Sequence, residues 1–333
     1  MPLSLRKIGN AQVHPIGFGA MGISAFYGKV ESDEERFKVL DAVYESGYRH
    51  IDTAHIYADS EELLGKWFKK TGKRNEIFLA TKCGISPEGP RGDPEFIKQQ
   101  IATSLARLGV DYVDLYYQHR PDPKVPIEIT VGAMAELVKE GKVKYLGLSE
   151  CTAEDLRRAH SVHPISALQI EYSPFVLDIE SDTTNILKTA RELGVTIVAY
   201  SPLARGLLTG QYKSPDDFEE GDFRRAVPKY QAENFPKILD VVKKIENVGK
   251  KHNATAGQVA LAWILAQGDD FVVIPGTKKI KYVKENMAAA DVELSADEID
   301  AVRKIAEASD IPGNRYPDRV MQTVLVKTPP LPK

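Results

Sequence analysis

The sequence predicts an α/β fold, a (β/α)8 barrel of the TIM type, and three observations carry that expectation. Eight short apolar segments alternate with helical patterns from one end of the chain to the other. Most of them are continuously apolar rather than alternating, which is how parallel strands covered on both faces read. The length of 333 residues suits one barrel of about 250 residues with additions. A doubly wound sheet competes, but it needs fewer βα units and a Gly-rich turn after its first strand.

The elements follow in order. Residues 3–13 read as a small β-hairpin plugging the bottom of the barrel. The eight strands are expected at 17–20, 48–52, 77–82, 112–118, 143–148, 165–170, 195–200 and 271–274, each rich in Val, Ile, Leu or Tyr. Ser32-Asp33-Glu34-Glu35 is a capping box opening a helix over 33–46, which Gly47 closes. Asp93-Pro94 opens the next, with Pro in the first turn, and Gly109 ends it. Thr152-Ala153-Glu154-Asp155 caps a short helix, and helices follow at 183–193, 236–251, 256–267 and 279–289. Ser295-Ala296-Asp297-Glu298 caps an extra helix to about 308, and 309–333 is a tail whose final stretch, 314–333, holds four prolines. With no linker and no repeat, residues 1–333 are expected to form one domain. The stretch 202–233 has no clear element. Loops this long are uncommon and often functional, and this one leaves the C-terminal end of the seventh strand.

Composition narrows the function. With 44 basic and 47 acidic residues well mixed, the net charge of −3 offers no footprint for nucleic acid or a lipid surface. Cys83 and Cys151 form no CxxC pattern. The N-terminus lacks a signal-peptide core, and no apolar run of about 18 residues occurs. A cytoplasmic protein without membrane or nucleic-acid partners is expected, and no motif specifies an oligomer.

Gly17-Phe18-Gly19-Ala20-Met21-Gly22 matches G-x-G-x-x-G. That motif requires a helix to begin inside it, so that a pyrophosphate meets the helix N-terminus. The expected helix starts roughly ten residues later, so we read a tight strand-to-loop passage where small residues let a ligand approach the backbone. The chemistry lies instead around "HIDTAHIY", residues 50–57. His50 and His55 make a weak metal pair, without a Cys or third ligand nearby, and no metal is expected.

In a barrel, reactive groups sit at the C-terminal strand ends. Period two puts Phe78, Ala80 and Lys82 on one face, and Val113, Leu115, Tyr117 and His119 on another. Asp52, Lys82 and His119 can therefore share one mouth, with Tyr57 folding back from the loop after Asp52. Ser149, Gln169 and Tyr200 end later strands in the same way. A tyrosine at its ordinary pKa of about 10 is a poor acid. A nearby ammonium, Lys82, favours phenolate, Asp52 keeps Lys82 charged and placed, and His119 donates to the same oxygen. Such a set donates a proton to a carbonyl oxygen receiving a hydride. Taken singly, a strand-end lysine is more often a solvated cation and a histidine more often a satisfied polar group, and Asp52 also reads as a cap; their joint placement points to a site.

At these residues the chain resembles the aldo-keto reductase superfamily. "GYRHIDTAHIY", "FLATKCG", "DLYYQHRPDP", "GKVKYLGLSE", "LQIEYSP", "VAYSPLARGLLTG" and "IPGTKKIKYVKEN" follow that family's block order over residues 8–290. They look nearest to its YakC-like and perakine-reductase-like branch. The resemblance implies Tyr57 as general acid, assisted by Lys82, Asp52 and His119, and NADPH lying across the mouth. Ala20, Met21 and Asp52 would border the nicotinamide, Ser149 and Gln169 its carboxamide, and Tyr200 its ring. Ser201, Leu203 and Arg205 would meet the pyrophosphate beneath the 202–233 loop. Gly276 and Lys278 would meet the 2′-phosphate, and Glu285 and Asn286 the adenine. Lys278 near a helix start suits a phosphate dianion, although without the resemblance a solvated basic face is the favoured reading of "TKKIK". Two departures stand out: Glu150, a further cofactor contact by position, where many members carry Asn, and Tyr282 where many carry Arg. The expected activity is NADPH-dependent reduction of a small aldehyde or ketone, with Phe26, Tyr27 and the 83–93 loop lining the substrate pocket. The alternative is a non-catalytic NADP(H)-binding regulatory subunit resembling potassium-channel β subunits.

Overall fold

Eight parallel strands wind into a barrel in chain order: β1 (Phe18–Gly19), β2 (His50–Asp52), β3 (Phe78–Cys83), β4 (Val113–Gln118), β5 (Val143–Ser149), β6 (Ile165–Glu171), β7 (Thr196–Tyr200) and β8 (Phe271–Val273). This is a computed structural model, and it describes residues 4–332. Each strand pairs with its sequence neighbour. The ring closes where the chain before β1 meets β8: Gly17 N donates to Val273 O at 2.8 Å and Val273 N to Pro15 O at 2.9 Å. Small residues make that closure possible. A Cβ on Gly19 would stand 2.7 Å from Ile274 O, and one on Gly276 would stand 2.4 Å from Gly19 O. Gly19 of the G-x-G-x-x-G match thus serves the approach of two strands, while Gly17 makes room for the His50 ring and Gly22 for that of Tyr27. A helix of only four residues, Met21–Ser24, begins inside the match and includes Gly22.

Among the described residues, ten helices of seven residues or more surround the ring: α1 (Asp33–Glu45), α2 (Ser60–Thr71), α3 (Pro94–Leu108), α4 (Ile127–Lys139), α5 (Ala153–Val162), α6 (Ile186–Glu192), α7 (Phe235–Gly249), α8 (Ala256–Leu265), α9 (Ile280–Met287) and α10 (Ala296–Glu307). Ser32, Asp93, Thr152 and Ser295 cap α1, α3, α5 and α10 through their side chains, as their spacing predicts. Helices α2 and α4 are not anticipated by the sequence reading. Neither starts with a side-chain cap. Asp59, in the cap position of α2, turns its carboxylate to Arg36 instead, at 2.7 Å from each oxygen.

The lumen is packed. Ala80, Leu115, Tyr117, Ala167, Val198 and Val272 point inward, as period two requires, and Ile8 and Val13 of the hairpin (Arg6–Ile8 and Ala11–Val13) fill the bottom. Leu3, where the hairpin is expected to begin, lies outside the described residues, as does Lys333 at the end of the tail. Burial of each large aliphatic side chain here stabilises the fold by about 1.5–3 kcal/mol. The bottom is therefore sealed by apolar packing, and the polar strand ends gather at the top. No described helix is long and apolar enough to cross a membrane.

Candidate active site

The top of the barrel holds a cavity of about 570 Å³. Its floor is built by adjacent strand ends. Asp52 closes β2, Lys82 lies on β3, and His119 follows β4 directly. Lys82 is fully buried; its Nζ donates to Asp52 Oδ1, to Thr53 O at 2.8 Å and to Tyr57 OH at 3.3 Å. Tyr57 reaches this point because the chain turns sharply after β2: its N–H donates to Ala54 O at 3.1 Å, and Ser60 N donates back to Tyr57 O at 3.0 Å. The Tyr57 and His119 rings meet edge to face, with centroids 5.8 Å apart. Gln169 Nε2 donates to Asp52 Oδ2 at 2.8 Å, so both carboxylate oxygens are engaged.

The electrostatics differ in one respect from the sequence expectation. The Tyr57 phenol is pushed well above its ordinary value, by burial first and by the Asp52 charge second, while Arg120 pulls the other way. Lys82 therefore does not deliver a lowered phenol pKa in this site. Burial pulls the Lys82 ammonium down, and Asp52 opposes that. Burial also holds His119 well below its ordinary value, helped by the charges of Arg120 and Lys82. The floor thus carries a protonated phenol and a neutral imidazole.

The other two histidines are committed elsewhere. His50 is buried in the lumen, edge-on to Phe78, and burial pushes its imidazole down to about 4. His55 spends both ring nitrogens on the β3 exit, Nδ1 at 2.7 Å from Lys82 O and Nε2 at 2.8 Å from Ile85 O.

Most of the residues expected around a cofactor face the same cavity: Met21, Ser149, Gln169, Tyr200, Ser201, Leu203, Arg205, Gly276, Lys278 and Asn286 all line it. Ala20 is buried behind it, its N–H on Asp52 O at 2.8 Å. Glu285 is off the lining and accepts from Thr255 Oγ1 at 2.9 Å. Lys278 spans a gap, its ammonium on Tyr27 O and, at 2.8 Å, on Lys29 O. Tyr282 donates to Gln211 Oε1 at 2.8 Å. The 202–233 segment is a chain of short 3₁₀ turns rather than bare loop. It folds over the cavity and is tied to the β1 exit: Phe223 N donates to Phe26 O at 3.1 Å, and Lys29 N to Glu219 Oε2 at 2.7 Å. Phe26, Tyr27, Ile85 and Pro90 complete the wall nearest Tyr57.

Two residues occupy roles that their position in the sequence does not suggest. The Arg205 guanidinium is held within the protein, donating to Glu171 Oε2 at 3.1 Å and to Arg315 O at 2.6 Å, with Tyr316 stacked 4.4 Å from it. Glu150 is fully buried and outside the cavity lining. Its carboxylate accepts from Tyr200 OH at 2.6 Å, from Arg315 Nη1 at 2.8 Å and from Arg315 Nη2 at 2.6 Å. Burial alone would raise this carboxyl; Arg315 overrides burial and holds it down at about 2. The Glu150 backbone carbonyl also accepts from Leu325 N at 3.0 Å. The tail is therefore fastened at both ends of 315–325 to one residue, and Tyr316, Val320 and Thr323 between them wall the cavity. The sequence reading has no signal for this contact, because Glu150 and Arg315 are 165 positions apart.

A ring of strand ends bearing Asp, Lys, His and a returning Tyr over a roofed cavity is matched by the "Aldo/keto reductase family" model across residues 15–307. The chain belongs to that family. It is 69% identical to Aldo-keto reductase str7 of Strobilurus tenacellus and 47% identical to Aldo-keto reductase yakc [NADP(+)] of Schizosaccharomyces pombe, with both chains covered in full in each case. Among solved structures it is similar to a glycerol dehydrogenase from Gluconobacter oxydans (27% identity, TM-score 0.83, 93% of this chain and 97% of that one). A thermostable aldo-keto reductase, Tm1743, is also similar, at 31% identity and a TM-score of 0.74 over 92% of this chain and 99% of that one.

Proposed function

We propose that this aldo/keto reductase is NADPH-dependent and reduces an aldehyde or ketone, with Tyr57 as general acid. The observation that carries this is the continuous donor line from Asp52 through Lys82 to Tyr57 at the cavity floor, with His119 edge-on to the phenol.

The residues present fit the cofactor. Ser149 and Gln169 offer polar groups at the floor, Tyr200 an aromatic face, and Lys278 and Lys279 cationic charge at the far end of one cavity. The name of the yakc relative, which prints NADP(+), supports the phosphorylated form. When bound, NADPH supplies the hydride. Tyr57, held protonated by burial, gives its proton to the carbonyl oxygen as negative charge develops there. The phenolate so formed keeps the Lys82 N–H, and Asp52 holds Lys82 in place and charged. Neutral His119 has one ring N–H to offer the same oxygen. Donors set in place before the reaction stabilise a developing alkoxide without reorganisation. The tyrosine needs no lowered pKa for this role, because the oxygen it protonates becomes far more basic than a phenolate as the hydride arrives. The regulatory-subunit alternative is not favoured: the donor set is complete, and the relatives named above are reductases and a dehydrogenase.

The test is loss of reduced-nicotinamide absorbance with an activated aromatic aldehyde. Tyr57→Phe should lower kcat by about 10²–10⁴-fold, the usual weight of a positioned acid, while NADPH still quenches protein fluorescence. Tight NADPH binding by the wild type without turnover of any aldehyde would sink the enzyme reading.

A further inference from the structure

Arg120 follows His119 and is a buried cation with an unfilled hand. It is 7% exposed and lines the cavity. One nitrogen, Nη1, donates to His119 O at 2.7 Å and, at 3.4 Å, to Ser149 Oγ. Among the described residues no carboxylate lies within ion-pair distance of its guanidinium and no hydrogen bond is made by Nε or Nη2; Glu150 acts on it only as a more distant charge. The other buried arginines of this region are all paired: Arg205 with Glu171, Arg224 with Asp222, and Arg315 with Glu150 and Glu171. Removing a guanidinium from water without a counter-ion is costly, and this one is spent beside Tyr57 and His119, where the reacting carbonyl must sit.

We propose that Arg120 is a specificity-determining residue that receives a carboxylate bonded directly to the reacting carbonyl carbon, so that the preferred substrates are 2-oxo acids. The proposal rests on the reductase reading above. A guanidinium presents parallel N–H groups that match a carboxylate two for two. Its bond to the His119 carbonyl fixes it next to the imidazole that faces the substrate oxygen. A substituent one bond from the carbonyl carbon is therefore the part of a substrate best placed to meet it. Ligands lacking the acceptor leave the cation buried and unpaired, which is the strongest form of discrimination a polar pocket has. Around it the wall is apolar and aromatic, with Phe26, Ile56, Phe223 and Val320, so the rest of the substrate is an apolar group.

Benzoylformate and benzaldehyde differ by that carboxylate and serve as the probes. The measured quantity is kcat/KM for each with NADPH, in the wild type, Arg120→Met and Arg120→Lys. Arg120→Met should lower the benzoylformate-to-benzaldehyde ratio by about 10–100-fold, the weight of a charge-assisted hydrogen-bonded contact, and Arg120→Lys should recover part of it. In Arg120→Ala, added guanidinium ion should restore benzoylformate reduction more than benzaldehyde reduction, which a merely structural role would not produce. A ratio that moves less than about threefold in Arg120→Met, or a wild type that reduces benzaldehyde but not benzoylformate, overturns the proposal and leaves the reductase reading standing. A wild type that binds NADPH and reduces neither overturns both.

Discussion

Removing Arg315 should cost this fold a large part of its stability, and the size can be worked from its partners. Arg315 makes two bonds to Glu150, at 2.8 and 2.6 Å, and one to Glu171 at 3.0 Å, with its side chain 7% exposed. In Arg315→Met, Glu171 keeps Arg205, but Glu150 keeps only the Tyr200 hydroxyl and the Glu171 N–H. Stranding one buried charge in this way costs about 3–5 kcal/mol, a sizeable share of a typical total of about 5–15 kcal/mol. The proton linkage gives an independent figure. The Glu150 carboxyl is held at about 2 against an ordinary 4.5. At about 1.4 kcal/mol per unit, that is about 3 kcal/mol. Because the folded pKa is depressed, this stabilisation is present above pH 4.5 and is lost as the pH falls towards 2. Without Arg315, Arg120 and the Tyr200 hydroxyl are left to oppose burial at this carboxyl, so its pKa moves up and the variant should lose less stability than the wild type as the pH is lowered from 7 towards 5. The assay is urea unfolding of the wild type, Arg315→Met, Glu150→Gln and the double variant at both pH values. The double variant should be less damaged than the sum of the singles by more than about 1 kcal/mol. A loss below about 1 kcal/mol at pH 7, or strict additivity, would refute the clasp.

Further expectations concern the far end of the cavity and the lumen. Lys278→Ala should raise the Kd for NADPH by about 10–100-fold and that for NADH far less, since one charge-assisted contact is at stake; titration with both nucleotides checks it, and equal losses would remove Lys278 from the 2′-phosphate. His50→Leu should flatten the acid limb of the stability curve. The His50 folded pKa is pushed down to about 4 from 6.5, so its neutral form is the native one, and stability present above pH 6.5 is lost as the pH falls towards 4. Unfolding at pH 5 and pH 7 reads this, and an unchanged difference between the two would show that His50 does not drive the acid loss.

What was legible in the sequence is what depends on local periodicity. Period two sets which strand residues point inward, and the barrel converts that parity into convergence of Asp52, Lys82 and His119 at one floor. Caps were legible where a side chain makes them, and the start of α2 was not, because Asp59 is drawn to Arg36 from 23 positions away. Glu150 and Arg205 show the same limit inside the site. Glu150 follows cavity-lining Ser149, and Arg205 stands in the lining between Leu203 and Gly206, so both are natural cofactor contacts by position. Which partner a buried charge takes is decided by competition across the whole chain, and here Glu171 and the tail residue Arg315 win both. The Tyr57 phenol departs from the sequence expectation for a related reason. A nearby ammonium lowers a phenol only if its field is not already spent, and the Lys82 charge is neutralised by Asp52 within one hydrogen bond, leaving burial to dominate. Arg120 completes the pattern from the other side. Where every neighbouring arginine has found its carboxylate within the protein, the one that has not is the one whose partner should come from outside.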